Sequence, residues 1–289
     1  MVREALSDAR VSEVSRRLRS RADGILAAVW FMPEAGTGFS ELGLSPEASS
    51  LGSRVAPLGR VSGAVAATMV APMCPRRAQP AVDEAWRITD PDTLLTARLR
   101  AATAHLARVL GPEPARVERA VELLRPVVES APTQGHPLYA GLRALPWPGT
   151  PLGDMWRACD MVRERRGGSH LNAWVTAGLD SVELLLLTVQ WRAKPNPGLA
   201  GPAEMGWSDD DAAAGRERLR ARGLLDRDDH ITDAGRQLRD EVERATDRQE
   251  RPLVEALGDD VDELFDLLAP WARAVVSGAE LPRPEGTGT

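Results

Sequence analysis

A mainly α protein made of two copies of one helical unit is what the sequence predicts, on three observations. Apolar residues recur at three- and four-residue spacings through most of the chain, no stretch alternates as a strand for more than a few residues, and two distant segments repeat one another in order. The helical period runs through residues 11–29, 61–69, 93–110, 116–129, 152–165, 182–189, 209–222, 234–251 and 260–276. Three starts carry clear caps. Thr89-Asp90-Pro91, Ser208 and Thr232-Asp233 each place a side-chain oxygen where the first amides of a helix lack partners.

The repeat pairs residues 88–103 (ITDPDTLLTARLRAAT) with 231–246 (ITDAGRQLRDEVERAT), six of sixteen positions agreeing without a gap. Leu110-Gly111 and Leu123-Leu124-Arg125-Pro126 then recur as Leu257-Gly258 and Leu267-Leu268-Ala269-Pro270, and Gly43-Leu44 with Glu47 recurs as Gly178-Leu179 with Glu183. The segment 130–151 holds five prolines and three glycines and is the natural linker. The expected domains are therefore 10–130, a degenerate first copy; 131–151, the linker; 152–278, the second copy; and 279–289, a disordered tail.

Composition sets the class. With 289 residues, 43% apolar and 27% charged, the chain can bury a sizeable core. Its longest apolar runs are far short of the ~20 residues of a membrane span, and its Arg-rich start has no signal core, so a cytoplasmic protein is expected. Cys74 and Cys159 form no zinc or disulfide pattern, and no metal is expected. Positive charge comes from 35 Arg and a single Lys, Lys194, within a net charge of −6, which removes the long-range attraction a basic protein has for nucleic acid.

The second copy carries specific motifs. A helix ending Arg218-Leu219-Arg220-Ala221-Arg222-Gly223-Leu224-Leu225, a short polar turn, and Ile231-Thr232-Asp233-Ala234-Gly235-Arg236 follow one another over about 75 residues. This resembles MarR-type winged-helix regulators and implies a two-stranded wing. Most of the chain is also similar to a helix-turn-helix family common in actinobacteria. The similarity rests on Phe31-Met32-Pro33-Glu34, Arg54-Val55-Ala56-Pro57-Leu58-Gly59, Leu145-Pro146-Trp147-Pro148 and Arg166-Gly167-Gly168-Ser169-His170. With the repeat, these resemblances imply tandem winged-helix-like repeats forming an intrachain pseudo-dimer.

Charge argues against DNA reading. The expected recognition helix opens Ser208-Asp209-Asp210-Asp211, carboxylates that suit a helix start and repel phosphates. The turn Asp226-Arg227-Asp228-Asp229-His230 is too short to reach a minor groove. Arg216, Arg218, Arg220 and Arg222 form either a basic patch or a solvated face. The matching region of the first copy, 76–87, is expected to be broken by Pro72, Pro75 and Pro80.

Chemistry is then expected between the copies. Laying Gly43 on Gly178 sets residues 31–35 opposite 166–170. Glu34 and His170 become the candidate acid/base pair, Arg54 and Arg166 anion clamps, and Trp30, Phe31, Trp156 and Trp174 apolar walls. Each has a plainer alternative: Glu34 a helix-start carboxylate, His170 a capping or packing side chain beside a Gly-Gly turn, the tryptophans core. Asp160 either orients the imidazole or pairs with Arg163 on a solvated face. No phosphate loop, dinucleotide fingerprint or hydrolase elbow is present, and no cofactor is expected. These residues predict a small-molecule-binding protein for an apolar or anionic molecule. It is either a binder or a cofactor-independent isomerase, lyase or cyclase of actinobacterial specialised metabolism, acting as a monomeric pseudo-dimer or a homodimer. The alternative is a ligand-responsive MarR-like regulator.

Overall fold

The computed structural model describes residues 6–30, 39–192 and 201–278, with backbone alone for 27–30. Those residues form α-helices and two short 3-10 turns, and no strand. In order they are α1 (Asp8–Trp30), α2 (Pro46–Val55), α3 (Gly63–Met69), α4 (Pro75–Ile88), α5 (Pro91–Leu110), α6 (Val117–Ser130), α7 (Pro137–Ala144), α8 (Pro151–Thr176), α9 (Ser181–Trp191), α10 (Asp209–Ala221), α11 (Asp233–Gln249), α12 (Arg251–Leu257) and α13 (Val261–Ser277). No helix among the described residues is long and apolar enough to cross a membrane. The expected tail, 279–289, lies outside the described residues.

Helix α8 is the axis of the molecule. It packs on α1, α5, α6, α7 and α11. Met155, Trp156, Cys159 and Val162 enter the main core beside Leu18 and Ile25 of α1, Leu106 of α5, Leu124 of α6 and Leu268 of α13. A helix covered on nearly every side is ordinarily apolar all round. This one instead buries Asp154, Arg157, Asp160, Glu164, Arg165 and Arg166.

The apolar period ends at Arg165, but α8 continues for another eleven residues, through the expected Gly-Gly turn to Thr176. Each glycine costs a helix about 1 kcal/mol relative to alanine. Packing explains the choice at Gly168, where a Cβ would stand 2.7 Å from the His136 ring. The residue is glycine because a neighbouring segment approaches there, not because the chain turns.

Two helical modules flank this axis. Helices α2, α3 and α4 share one core, with Leu51, Val55, Ala66, Ala78 and Val82. Helices α9, α10 and α11 close another with the end of α8. Contrary to expectation, α4 is continuous. Pro75 occupies a first-turn position, where its missing N–H is not needed, and Pro80 is exposed on the face opposite buried Ala78, Ala81, Val82 and Ala85. In the second module Ser208 and Thr232 cap α10 and α11 as the sequence indicates, accepting from Asp211 N and Gly235 N. Where a two-stranded wing was expected, the described residues form one antiparallel bridge, Leu225 to Ile231. Gly235 has no room for a side chain, because a Cβ would lie 2.4 Å from the Leu224 carbonyl.

The Pro/Gly-rich segment 131–151 is itself part of the core. Pro137 starts α7, Leu138, Tyr139 and Leu142 are buried, and Tyr139 donates to the Val128 carbonyl at 2.5 Å.

Candidate functional site

The charges of α8 meet partners from different helices along its length. Arg125 of α6 pairs with Asp154 at 3.0 Å. Arg98 of α5 pairs with Asp160 at 3.0 Å, both essentially without solvent contact, and also donates to the Ser53 carbonyl at 3.2 Å. Arg54, at the end of α2, grips Glu164 through two bonds of 2.8 and 3.0 Å. Burial pushes the Asp160 carboxyl above its ordinary pKa against the pull of Arg98. Burial opposes the charge of Glu164 as well, but Arg54, by charge and hydrogen bonds, outweighs it and holds that carboxyl low.

The next turns hold α11 and α12. Arg166 pairs with Asp247 at 2.8 Å and Glu243 at 3.5 Å, Arg16 of α1 also reaches Asp247, and Arg239 pairs with Glu243 at 2.7 Å. Ser169 donates to Glu250 at 2.6 Å and lies 2.9 Å from His136 Nε2. Its single proton is thereby used, so Nε2 is the donor in that second contact. The other ring nitrogen, Nδ1, faces both an Arg165 N–H and the Gln134 carbonyl at 2.7 Å, and a bare nitrogen satisfies only Arg165.

His170 lies 3.2 Å from Thr246 Oγ1, whose own proton goes to the Val242 carbonyl, so Nδ1 donates and Nε2 is the accepting nitrogen. Burial first, with Arg239 and Arg166, pushes the imidazole down to about 4 against the pull of Glu243. His170 is therefore neutral at pH 7. Because the unfolded value is about 6.5, this contribution to stability is complete above pH 6.5 and is lost as pH falls towards 4. Replacing His170 with Gln is expected to remove about 3 kcal/mol from the stability difference between pH 7 and pH 4. Urea unfolding of parent and variant at both pH values checks this, and parallel pH profiles would refute it.

Of the residues chosen from sequence, Arg54 pairs with Glu164 of α8, while Trp156 and Asp160 share Arg98 as a neighbour. Arg166 and His170 face α11. Trp174 packs in the second module with Leu179, Leu187 and Leu219. Phe31 and Glu34 lie outside the described residues, as does the side chain of Trp30, whose backbone ends α1. Asp160 is neither on a solvated face nor near His170, being ten residues and about 15 Å along the helix from it. Arg54 and Arg166, expected to clamp an outside anion, are neutralised by the protein's own carboxylates. Arg98, Glu164, Glu243 and Asp247, whose signal is a charge at a core-facing helical position, and His136 and Glu250, in the turns before α7 and after α11, were missed.

The segments entering α4 and α10 are joined to each other. Cys74 N, just before α4, donates to the Met205 carbonyl at 2.9 Å; Trp207 Nε1 donates to the Pro72 carbonyl at 2.9 Å; Arg76 pairs with Asp211 at the start of α10. Along α10, Arg218 pairs with Asp180 and Glu183, Arg222 with Glu183, and Arg216 and Arg220 with Asp229. In the turn between Leu225 and Ile231, Asp226, Asp228 and His230 cluster in solvent, where Asp226 accepts from the amides of Asp228 and His230.

These features define a mainly α protein in which two helical modules are set on a charged central helix. The chain belongs to a helix-turn-helix family, whose model matches residues 15–282. No curated protein and no solved structure matches it.

Proposed function

We propose that this chain is a small-molecule-binding protein on a repurposed tandem winged-helix scaffold, with its ligand held between the halves, rather than a reader of DNA. The observation that carries this is the junction of α4 with the loop entering α10. A winged-helix reader needs the start of its recognition helix free to enter a major groove. Here the start of α10 is acidic, and Asp211 is paired with Arg76 of the other module.

The tandem-copy reading is supported by parallel details. Gly43 and Gly178 both have φ of 72°, each shortly before a capped helix, and α6 and α13 each contain an internal proline. A catalytic version of the proposal keeps Glu34 and His170 as the acid/base pair. The neutral imidazole offers Nε2 as a hydrogen-bond acceptor for a ligand, while a pKa near 4 makes it a weak base at pH 7.

Fluorescence anisotropy with labelled duplex DNA is expected to give no sequence-selective, salt-sensitive binding, while native mass spectrometry of protein purified from cells gives a co-purifying small molecule. Salt-sensitive, selective DNA binding would overturn the proposal. It would favour the second reading, a ligand-responsive MarR-like regulator, which the family membership and the part-exposed Arg216, Arg218, Arg220 and Arg222 support.

A further inference from the structure

One turn of α8 carries three buried polar atoms without a hydrogen-bond partner among the described residues: Trp156 Nε1, Arg157 Nε and Asp160 Oδ2. Residues three and four apart on a helix are neighbours, so Asp160 stands beside both of the others. An unsatisfied buried polar atom costs about 1–3 kcal/mol, and three in one place are unusual.

Arg157 is the most telling. It is 6% exposed, and the hydrogen bond it makes is a long one of 3.4 Å to the Pro146 carbonyl. No carboxylate among the described residues lies within ion-pair distance of it, whereas Arg54 and Arg98, which face α8, and Arg165 and Arg166, which are on it, all have such a partner. The carboxylates near enough to act on it, Asp160 and Asp154, are already paired with Arg98 and Arg125, so Arg157 is a buried positive charge in excess, and an anion from outside would relieve it. Pro146 is an exposed loop residue, so the patch lies one loop away from solvent.

We infer that Trp156, Arg157 and Asp160 form an anion subsite for a small organic carboxylate that carries a hydroxyl or amino group beside the carboxyl. The carboxylate accepts from Arg157 Nε and Trp156 Nε1. The neighbouring O–H or N–H donates to Asp160 Oδ2. Two donors and one acceptor in one patch match that pair of groups, and an isolated carboxylate would leave Asp160 unsatisfied.

This rests on the small-molecule reading and is tested apart from it with glycolate, the smallest 2-hydroxy acid, alongside acetate, which lacks the hydroxyl, and glycolamide, which lacks the charge. Thermal melting and titration calorimetry of the full chain are expected to show millimolar glycolate raising Tm, acetate raising it less and glycolamide leaving it unchanged. In Arg157→Gln the Kd for glycolate is expected to rise about tenfold or more, with the ligand-free Tm no lower than that of the parent, and Arg157→Lys keeps part of the response. No glycolate response in the parent, or an equal response in Arg157→Gln, overturns the subsite; a bridging water then explains the three atoms. A molecule that still co-purifies from cells in that event leaves the broader proposal standing.

Discussion

Replacing Arg98 with Met is expected to lower the stability of the protein by about 3–5 kcal/mol, the usual cost of leaving one member of a buried ion pair without the other. Asp160 would keep its charge in a place without solvent contact and without its partner 3.0 Å away, or would have to take up a proton to remain there. The arginine has a second task, since its guanidinium lies 5.2 Å from the centre of the Trp156 ring and donates to the Ser53 carbonyl. The double variant Arg98→Met with Asp160→Leu removes both charges and is expected to recover to within about 1 kcal/mol of the parent, since apolar replacements of a buried pair are often neutral or stabilising. Urea unfolding of the parent, both single variants and the double variant gives the coupling energy directly. If Arg98→Met unfolds within about 0.5 kcal/mol of the parent, the range of an ordinary surface substitution, the pair does not hold α5 to α8.

The outcome bears on how much could be read from the sequence. Helix class, most helix positions and the caps at Asp90, Ser208 and Thr232 were legible because they depend on spacing and on local hydrogen bonds. The extension of α8, the continuity of α4 and the packing of α7 were not. Gly167-Gly168, Pro80 and the prolines of 131–151 read locally as breaks, and they are overruled by the burial of their neighbours against distant segments.

The charged column was hidden for a related reason. On α5 the buried side chains include Ala97, Ala101 and Ala102, a small-residue face beside which Arg98 looks like one more surface arginine. Its partner Asp160 sits 62 residues away, and nothing local relates the two. Arg54, Asp160 and Arg166 were picked out for their charge, but which carboxylate or guanidinium each would meet depended on helix packing. Likewise the acidic start of α10 was plain, whereas its contact with Arg76 of the first module required the fold.

Ser169→Ala is expected to cost about 2–3 kcal/mol at neutral pH, although it removes a single oxygen atom. That oxygen stands between two buried groups with no solvent to replace it. It is the donor to Glu250 Oε1 at 2.6 Å and the acceptor for His136 Nε2 at 2.9 Å. Burial already lifts the Glu250 carboxyl above its ordinary range, with the Ser169 bond opposing that rise, so removing the bond raises the pKa further. A folded pKa above the unfolded one means stability that is complete below the unfolded value and is lost as pH rises through the folded value. The deficit of Ser169→Ala should therefore be largest near neutrality and should shrink below about pH 4.5, where Glu250 is protonated in both states. Urea unfolding of parent and variant at pH 7 and pH 4 measures this. A deficit that is the same at both pH values would place the cost in the lost packing of the hydroxyl alone. Unchanged stability at pH 7 would mean that α12 and the segment before α7 are held to α8 by other contacts. The expected result places Ser169 and His136 in the structural join between α8 and its neighbours, while His170, one residue further on, is partly open to solvent.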